Sequence, residues 1–211
     1  MPRIPWDFTL LVLQQCLSAG QRYSMQQIDR LPLTRAIIED YATKYWGCIT
    51  DKEKELEEGF PLRVSQAHKI GHLDRRLFLD LAGWKSRRPR KWQESNSDDT
   101  IKAATSKAFL TEDIDDAILA LTALSGIALR SATALLHWMH PHRFPLLDIR
   151  AVSALGENAP KNWEDIEYYK IFTRKICGIR NDVDLDLRTI DRALWTWDKL
   201  KKKKKIHNQH A

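Results

Sequence analysis

Apolar residues recur at every third or fourth position through most of this chain, which is the spacing of amphipathic helices. Ile114, Ile118, Leu121 and Leu124 follow this spacing, and a second set continues it from Leu129 to Met139. No run alternates between apolar and polar residues, so no strand is predicted. The pattern predicts an all-α fold of about ten short helices. They span residues 7–19, 33–46, 50–58, 64–82 (one or two helices), 98–109, 112–124, a segment from Leu129 to before Pro141, 149–155, 163–177 and 187–200.

Glycine and proline mark the breaks between these elements. Gly126 lies in a short turn between two helical patterns, and Pro141 and Pro145 end the second one. Asp148 then opens another helical stretch as a candidate N-cap. A helix start exposes unpaired N–H groups that bind anions, and Gly126 is expected to let the backbone approach a phosphate closely. On this feature alone, a plain helical hairpin remains the commoner explanation.

Length and composition describe an ordinary globular protein. The 211 residues, 43% hydrophobic and 29% charged, suit one domain or two intimately packed lobes. No apolar run is long enough to span a membrane. The N-terminal apolar run follows Asp7 and contains Gln14 and Gln15, so it predicts a first helix and not a signal peptide. Three widely spaced cysteines indicate no disulfide framework, and we expect a cytoplasmic location.

The net charge of +6 is concentrated in two places. Lys201 to Lys205 form a basic run, and residues 201–211 are predicted to be a flexible tail. A second cluster lies between Trp84 and Asn96 in a segment predicted to be an irregular loop. Both favour a polyanionic partner, although a solvated loop and a solubilising terminus explain them as well. The second cluster consists of Lys85, Arg87, Arg88, Arg90 and Lys91.

The residues around the turn carry a resemblance to a known family. Leu-Ser-Gly-Ile-Ala-Leu-Arg from Leu124 to Arg130 is followed by Leu-Leu-Asp-Ile-Arg, with Asp148 lying 22 positions after Gly126. This stretch, residues 112–156, resembles the helix–hairpin–helix, Gly/Pro-rich loop and catalytic aspartate of the DNA glycosylase superfamily that includes endonuclease III. The resemblance implies two helical lobes with a DNA-binding cleft between them and Asp148 at its mouth.

From this resemblance we expect one lobe over residues 31–143, ending in a hairpin at about 112–140, and a second over 1–30 plus 144–211. It implies a double-stranded DNA partner, no cofactor, and a nucleoid association if the source is bacterial. A monomer is favoured, but the sequence leaves the oligomeric state open. Asp148 is the expected catalytic residue, because a carboxylate beside C1′ stabilises a developing oxocarbenium ion. The expected DNA-backbone contacts are Ser125, Gly126, Ala128, Arg130, Lys85, Arg87, Arg88 and Arg90.

The chain departs from the family at three points. Arg130 stands where bifunctional members have a Schiff-base lysine, so base removal without strand cleavage is expected. Ala128 replaces the second glycine of the hairpin, at a cost of roughly 1 kcal/mol if that position is left-handed. The iron–sulfur ligands of endonuclease III are missing, and the histidines lack a third ligand at a suitable spacing, so no metal site is predicted.

An extruded base needs an aromatic-lined pocket, for which Trp84, Trp46 and Trp138 are candidates beside Trp92 of the basic segment. Each is individually more typical of a core residue. Arg188, Asp191 and Trp195 share one helix face and indicate core packing with a surface ion pair. Two alternatives stay open, namely a non-catalytic helix–hairpin–helix DNA-binding protein and a helical interaction protein without a nucleic-acid role.

Overall fold

The computed structural model of this chain describes the backbone of residues 30–209 and the side chains as far as Lys203. The predicted first helix, residues 7–19, lies outside the described residues. Within residues 30–209 the fold is all-α, with no strand. The helices are α1 (Arg35–Lys44), a 3₁₀ turn (Tyr45–Gly47), α2 (Asp51–Ile70), α3 (Arg75–Lys85), α4 (Arg90–Glu94), α5 (Asp98–Leu110), α6 (Ile114–Thr122), α7 (Leu129–Met139), α8 (Ile149–Ala154), α9 (Ile166–Val183) and α10 (Leu187–Gln209).

Short polar side chains begin most of these helices by accepting a hydrogen bond from a backbone N–H two or three residues later. Thr50 forms a reciprocal capping box with Glu53 at the start of α2. The caps of α5, α6 and α9 are Ser97, Asp113 and Asp165. The predicted starts at residues 112 and 163 were therefore two and three residues too early, because the sequence offers several polar acceptors before each of these helices.

Several elements differ from the predicted bounds, and three of these differences change how a segment is described. Helix α2 continues through Gly59 and Pro61 to Ile70, because Phe60, Val64 and Ala67 extend its buried face. The segment predicted as an irregular loop contains the short helix α4. The basic run Lys201 to Lys205, predicted to be a flexible tail, lies within α10, which ends at Gln209. Lysine is a good helix former, so this run does not by itself end a helix.

The buried apolar residues from Leu31 to Leu194 form one continuous core, with α7 near its centre. Every residue of α7 except Arg130 is buried, and this helix packs on α2, α3 and α6. Helix α10 packs on α1 and α8, so it ties the C-terminal part of the chain to the first described helix. Among the described helices, none is long and apolar enough to cross a membrane.

Candidate functional site

The turn between α6 and α7 is held against α4. Gly126 has a φ of +75°, and a Cβ on it would approach Trp92 Cβ and the Gln93 backbone nitrogen to 3.0 Å. Asn96 accepts a hydrogen bond from the Ser125 N–H and donates one to the Ser125 carbonyl. We expected the missing side chain of Gly126 to leave room for a phosphate, but α4 occupies that space. The glycine is required by its left-handed backbone and by this packing.

The start of α7 is occupied by groups from the segment before α9. The Leu129 N–H donates to Glu164 Oε2 at 2.7 Å, and the Arg130 guanidinium lies 5.0 Å from the centre of the Trp163 ring. Ala128 is extended, with φ −92° and ψ 170°, so no left-handed cost arises there. A carboxylate of the chain itself therefore sits where an anion would contact this helix start.

A cavity of about 800 Å³ collects most of the residues predicted for DNA binding and the predicted catalytic aspartate. They come from three separate stretches of sequence, the α3–α4 connection, the α6–α7 turn and the start of α8. Two of the predicted DNA-backbone contacts, Ser125 and Arg90, do not line this cavity. The lining residues are Lys85, Ser86, Arg87, Arg88, Pro89, Thr122, Leu124, Gly126, Ile127, Ala128, Arg130, Ser131 and Asp148.

Asp148 lies in the wall of this cavity with its side chain 18% exposed. Its Oδ1 accepts the Arg150 N–H at 2.8 Å and so caps α8, while its Oδ2 accepts a hydrogen bond from Lys85 Nζ at 2.6 Å. Burial alone would raise the pKa of Asp148, but the charge and hydrogen bond of Lys85 outweigh it and hold that pKa below its usual range. The aspartate is therefore ionised at neutral pH and fixed in one orientation.

Lys85 takes a different role from the one predicted for it. Its side chain is only 10% exposed and is turned to Asp148, so in this structure it is the partner of the carboxylate and not an open contact for DNA phosphate. Sequence carried no signal for this pair, because the two residues lie 63 positions apart. Position 130 is an arginine, but the cavity still contains a lysine, Lys85.

The other arginines of the basic segment differ in how they are neutralised. Arg87 and Arg88 are exposed and form no salt bridge with any residue whose side chain is described. Arg90, which does not line this cavity, donates to Glu94 Oε1 at 2.6 Å and to the Leu79 carbonyl at 3.0 Å, so it holds the start of α4. Arg90 lines a second cavity of about 700 Å³. Exposed cations without a salt bridge keep their field available to an anion.

The tryptophans predicted to line a base pocket are engaged elsewhere. Trp84 and Trp138 pack edge to face with ring centres 5.5 Å apart, and both are approached by the Arg188 guanidinium. Trp46 lies 4.4 Å from the Arg192 guanidinium. None of the three lines the cavity of Asp148, although Trp84 borders the second cavity. The Arg188 and Arg192 guanidinium groups lie over these rings, so the assignment of the three tryptophans to a base pocket stays a prediction.

A buried ionic cluster lies behind these rings. Glu57, whose side chain is fully buried, binds Arg188 at 2.6 Å, Arg192 at 3.1 Å and Trp84 Nε1 at 3.1 Å, and also accepts the hydroxyl of Tyr45. Burial raises the pKa of Glu57, but Arg188 outweighs this and the net effect is a lowered pKa. Sequence reasoning missed Glu57, whose signal was its position on the apolar face of α2 with Phe60 and Val64.

Arg188 and Asp191 belong to the same cluster, and the predicted surface ion pair is wrong. Their side chains are 11% and 9% exposed, because α10 buries this face against α2, the 3₁₀ turn and α3. Burial raises the pKa of Asp191 to about 6, although Arg188 opposes the shift. A helix-face pattern identified the neighbours correctly, but it could not tell an exposed face from a buried one.

Three histidines contact backbone carbonyls of neighbouring elements. His137 is buried and its Nδ1 lies 2.8 Å from the Phe144 carbonyl, while His68 and His140 contact the carbonyls of Met139 and Ala108. Burial lowers the pKa of His137 to about 4, so its ring is neutral at physiological pH. Among the side chains that the structure describes, no three histidines, cysteines or carboxylates are grouped as a metal site.

Comparisons of this chain with models of protein families, with curated proteins and with solved structures give no match. The resemblance in residues 112–156 therefore rests on the sequence of those residues alone.

Proposed function

We propose that this chain is a DNA glycosylase that hydrolyses the N-glycosidic bond of a damaged or mismatched base, with Asp148 as its catalytic residue. One observation carries the proposal. A single cavity is lined by Asp148, by Gly126 of the α6–α7 turn and by Arg87 and Arg88, although these lie in three separate parts of the sequence. In this proposal α6 and α7 form the helix–hairpin–helix, and the cavity belongs to a cleft between two helical lobes.

Arginines of the cavity form the proposed binding surface for double-stranded DNA. Arg87, Arg88 and Arg130 would bind phosphates of the strand that holds the target nucleotide, which leaves its stack and enters the cavity. The cavity volume of about 800 Å³ lies within the range of small-ligand sites, roughly 300–1,000 Å³. The Arg130 guanidinium already lies over the Trp163 ring, 5.0 Å from its centre, and this contact positions it before DNA binds.

Asp148 supplies the chemistry. As the bond between C1′ and the base breaks, its electron pair leaves with the base and positive charge develops on the sugar. The ionised carboxylate stabilises that charge and accepts a proton from the water that adds to C1′. Its lowered pKa suits this role, since the carboxylate is already deprotonated at neutral pH.

The proposed reaction is hydrolysis without strand cleavage. Position 130 is an arginine, which keeps its proton and is no amine nucleophile. Lys85 lies beside Asp148, but a lysine paired with a carboxylate at 2.6 Å is an ammonium ion without a lone pair. We expect borohydride to trap no adduct between this protein and abasic DNA. A trapped adduct that disappears in Lys85→Met would contradict hydrolysis alone and make Lys85 the nucleophile.

The deciding experiment uses duplexes that carry a panel of modified bases, followed by alkali to cleave at abasic sites. Asp148→Asn should abolish base release, because it removes the charge while asparagine caps a helix as well as aspartate does. Asp113→Asn is the matched control, since Asp113 also caps a helix, α6, and does not line the cavity. Equal release by wild type and Asp148→Asn would refute the proposed role of Asp148.

A second candidate function is non-catalytic DNA binding on the same scaffold. The observation in its favour is that both oxygens of Asp148 already have partners, Lys85 and the Arg150 N–H. This function predicts tight duplex binding, no base release from any substrate, and no change of affinity in Asp148→Asn.

A further inference from the structure

Trp92 is exposed to an unusual degree for its size. Its side chain belongs to α4 and the residue is 61% exposed, whereas Trp138 of the core is 8% exposed. It does not line the cavity of Asp148, but its Cβ packs at the Gly126 turn, which does. Trp92 therefore lies at the rim of the cavity.

The backbone that carries Trp92 is firmly held. Its carbonyl accepts hydrogen bonds from Ser95 Oγ at 2.7 Å and from Asn96 Nδ2 at 3.3 Å. Arg75 donates to the carbonyls of Glu94 and Asn96 at the end of α4, and Arg90 ties its start to the Leu79 carbonyl. The exposure of the ring is therefore a fixed feature of the fold and does not come from a frayed loop.

Two exposed cations are close to Trp92 in the sequence. Arg88 precedes it by four residues and Lys91 by one, and neither forms a salt bridge with a described side chain. Single-stranded nucleic acid binds to surfaces that combine an exposed aromatic ring with cations, because bases stack on the ring and phosphates meet the charges. Because a fully paired duplex keeps its base faces covered, the ring fits a base that has left its stack.

We propose that Trp92 is a stacking platform for an unpaired nucleobase, on a strand whose phosphates lie along Arg88 and Lys91. The inference rests on the DNA-binding part of the proposed function and adds to it a preference for DNA with an unpaired nucleotide near the cavity. Trp92 in this role touches a base outside the cavity and takes no part in the chemistry at Asp148. Stacking on one aromatic ring contributes roughly ten-fold to affinity per base.

Fluorescence anisotropy tests this with three labelled probes, namely a fully paired duplex, the same duplex with one bulged thymine, and short oligothymidylate. Trp92→Ala should weaken binding of the bulged duplex and the oligothymidylate by roughly ten-fold, and of the paired duplex by less than about two-fold. Trp92→Phe should restore most of the loss, because it keeps an aromatic face. Leu110→Ala is the matched control, since Leu110 is an exposed apolar residue, 80% exposed, on α5.

The possible outcomes separate the two proposals. Equal affinities of wild type and Trp92→Ala for all three probes would overturn the stacking role, while retained duplex binding and base release would leave the proposed function intact. If wild type bound none of the probes, both proposals would fail. Trp92-dependent binding to anionic phosphatidylserine vesicles without Trp92-dependent DNA binding would assign the surface to a membrane and overturn the inference.

Discussion

Two pairs of arginines carry the same charge in opposite surroundings. Arg188 and Arg192 lie inside the protein, where Glu57 binds both and aromatic rings cover their guanidinium groups. Arg87 and Arg88 are exposed at the rim of the cavity and form no salt bridge with a described side chain. Arg188 and Arg192 are neutralised by carboxylates of the chain, whereas Arg87 and Arg88 are not paired with one whose side chain is described.

The difference follows from solvation. A charge removed from water costs several kcal/mol unless a partner compensates it, so Arg188 and Arg192 persist only with Glu57 and Asp191 beside them. An exposed arginine keeps its hydration and needs no partner for stability. Unpaired cations around a cavity are therefore free to bind a polyanion, and the buried cluster supports the wall of the fold behind Asp148.

The largest effect, on the free energy of unfolding, is expected for the buried cluster around Glu57. Glu57→Gln keeps the shape of the side chain but leaves Arg192 without a carboxylate, so the free energy of unfolding should fall by about 3–5 kcal/mol. Urea unfolding at neutral pH measures it. Because the folded-state pKa of Glu57 is lowered, its contribution is present above the unfolded-state pKa and is lost as pH falls through the folded-state value. The difference between the two proteins should therefore shrink in acid.

Glu58→Gln is the matched control for this measurement. Glu58 is the next residue of α2, is 60% exposed and lies 4.0 Å from Lys54. Its replacement should change stability by less than about 0.5 kcal/mol. If Glu57→Gln were equally mild, the cluster would contribute no more than a surface pair does.

The all-α fold, the Gly126 turn and the helix cap at Asp148 were predictable because each is encoded locally. Helical spacing, a glycine with positive φ and a capping aspartate involve residues within one turn of one another. Arg87 and Arg88 line the same cavity as Asp148, but no local pattern encodes this placement, and the sequence suggested a common site for these residues only through a resemblance.

The pairs that give the site its charge balance were not predictable. Lys85 meets Asp148 across 63 residues, and Arg192 meets Glu57 across 135. No local pattern encodes such contacts, since they depend on how separate helices pack. For the same reason Trp84 and Trp138 were expected in an open pocket, whereas Arg188 covers them in the structure. Tryptophan content indicates aromatic clusters but not which faces remain open.

A smaller effect, on the affinity for duplex DNA, is expected for the exposed arginines at the cavity. The double variant Arg87→Gln and Arg88→Gln removes two phosphate contacts, so duplex affinity near 0.1 M salt should fall about ten-fold and the slope of log K against log salt should decrease by about 1.8. Stability should not change. Arg76→Gln with Lys102→Gln removes the same charge from exposed residues that do not line the cavity. An equal loss in that control would mean that total charge, and not this surface, determines binding.

Lys85 joins the two regions, because it is a cation of the cavity that does have an acidic partner. Lys85→Met removes the charge that lowers the pKa of Asp148, so the acid limb of base release should move to higher pH. The rate at neutral pH should change less than the rate in acid. A pH–rate profile measures both, with Lys102→Met as control, since Lys102 is exposed and does not line the cavity. An unmoved acid limb would show that Lys85 does not set the protonation of Asp148.

The smallest effect, on duplex affinity, is expected for Glu164, whose carboxylate lies at the start of α7. Glu164 accepts the Leu129 N–H, so its negative charge lies next to Arg130, one of the proposed phosphate contacts. Glu164→Gln keeps an acceptor for that N–H and removes the repulsion, so duplex affinity should rise about two- to three-fold at low salt and less at high salt. Glu167→Gln on α9, 74% exposed, is the control and should have no effect. An unchanged affinity in Glu164→Gln would place the DNA backbone away from α7, so that the cations of the α3–α4 segment alone would bind it.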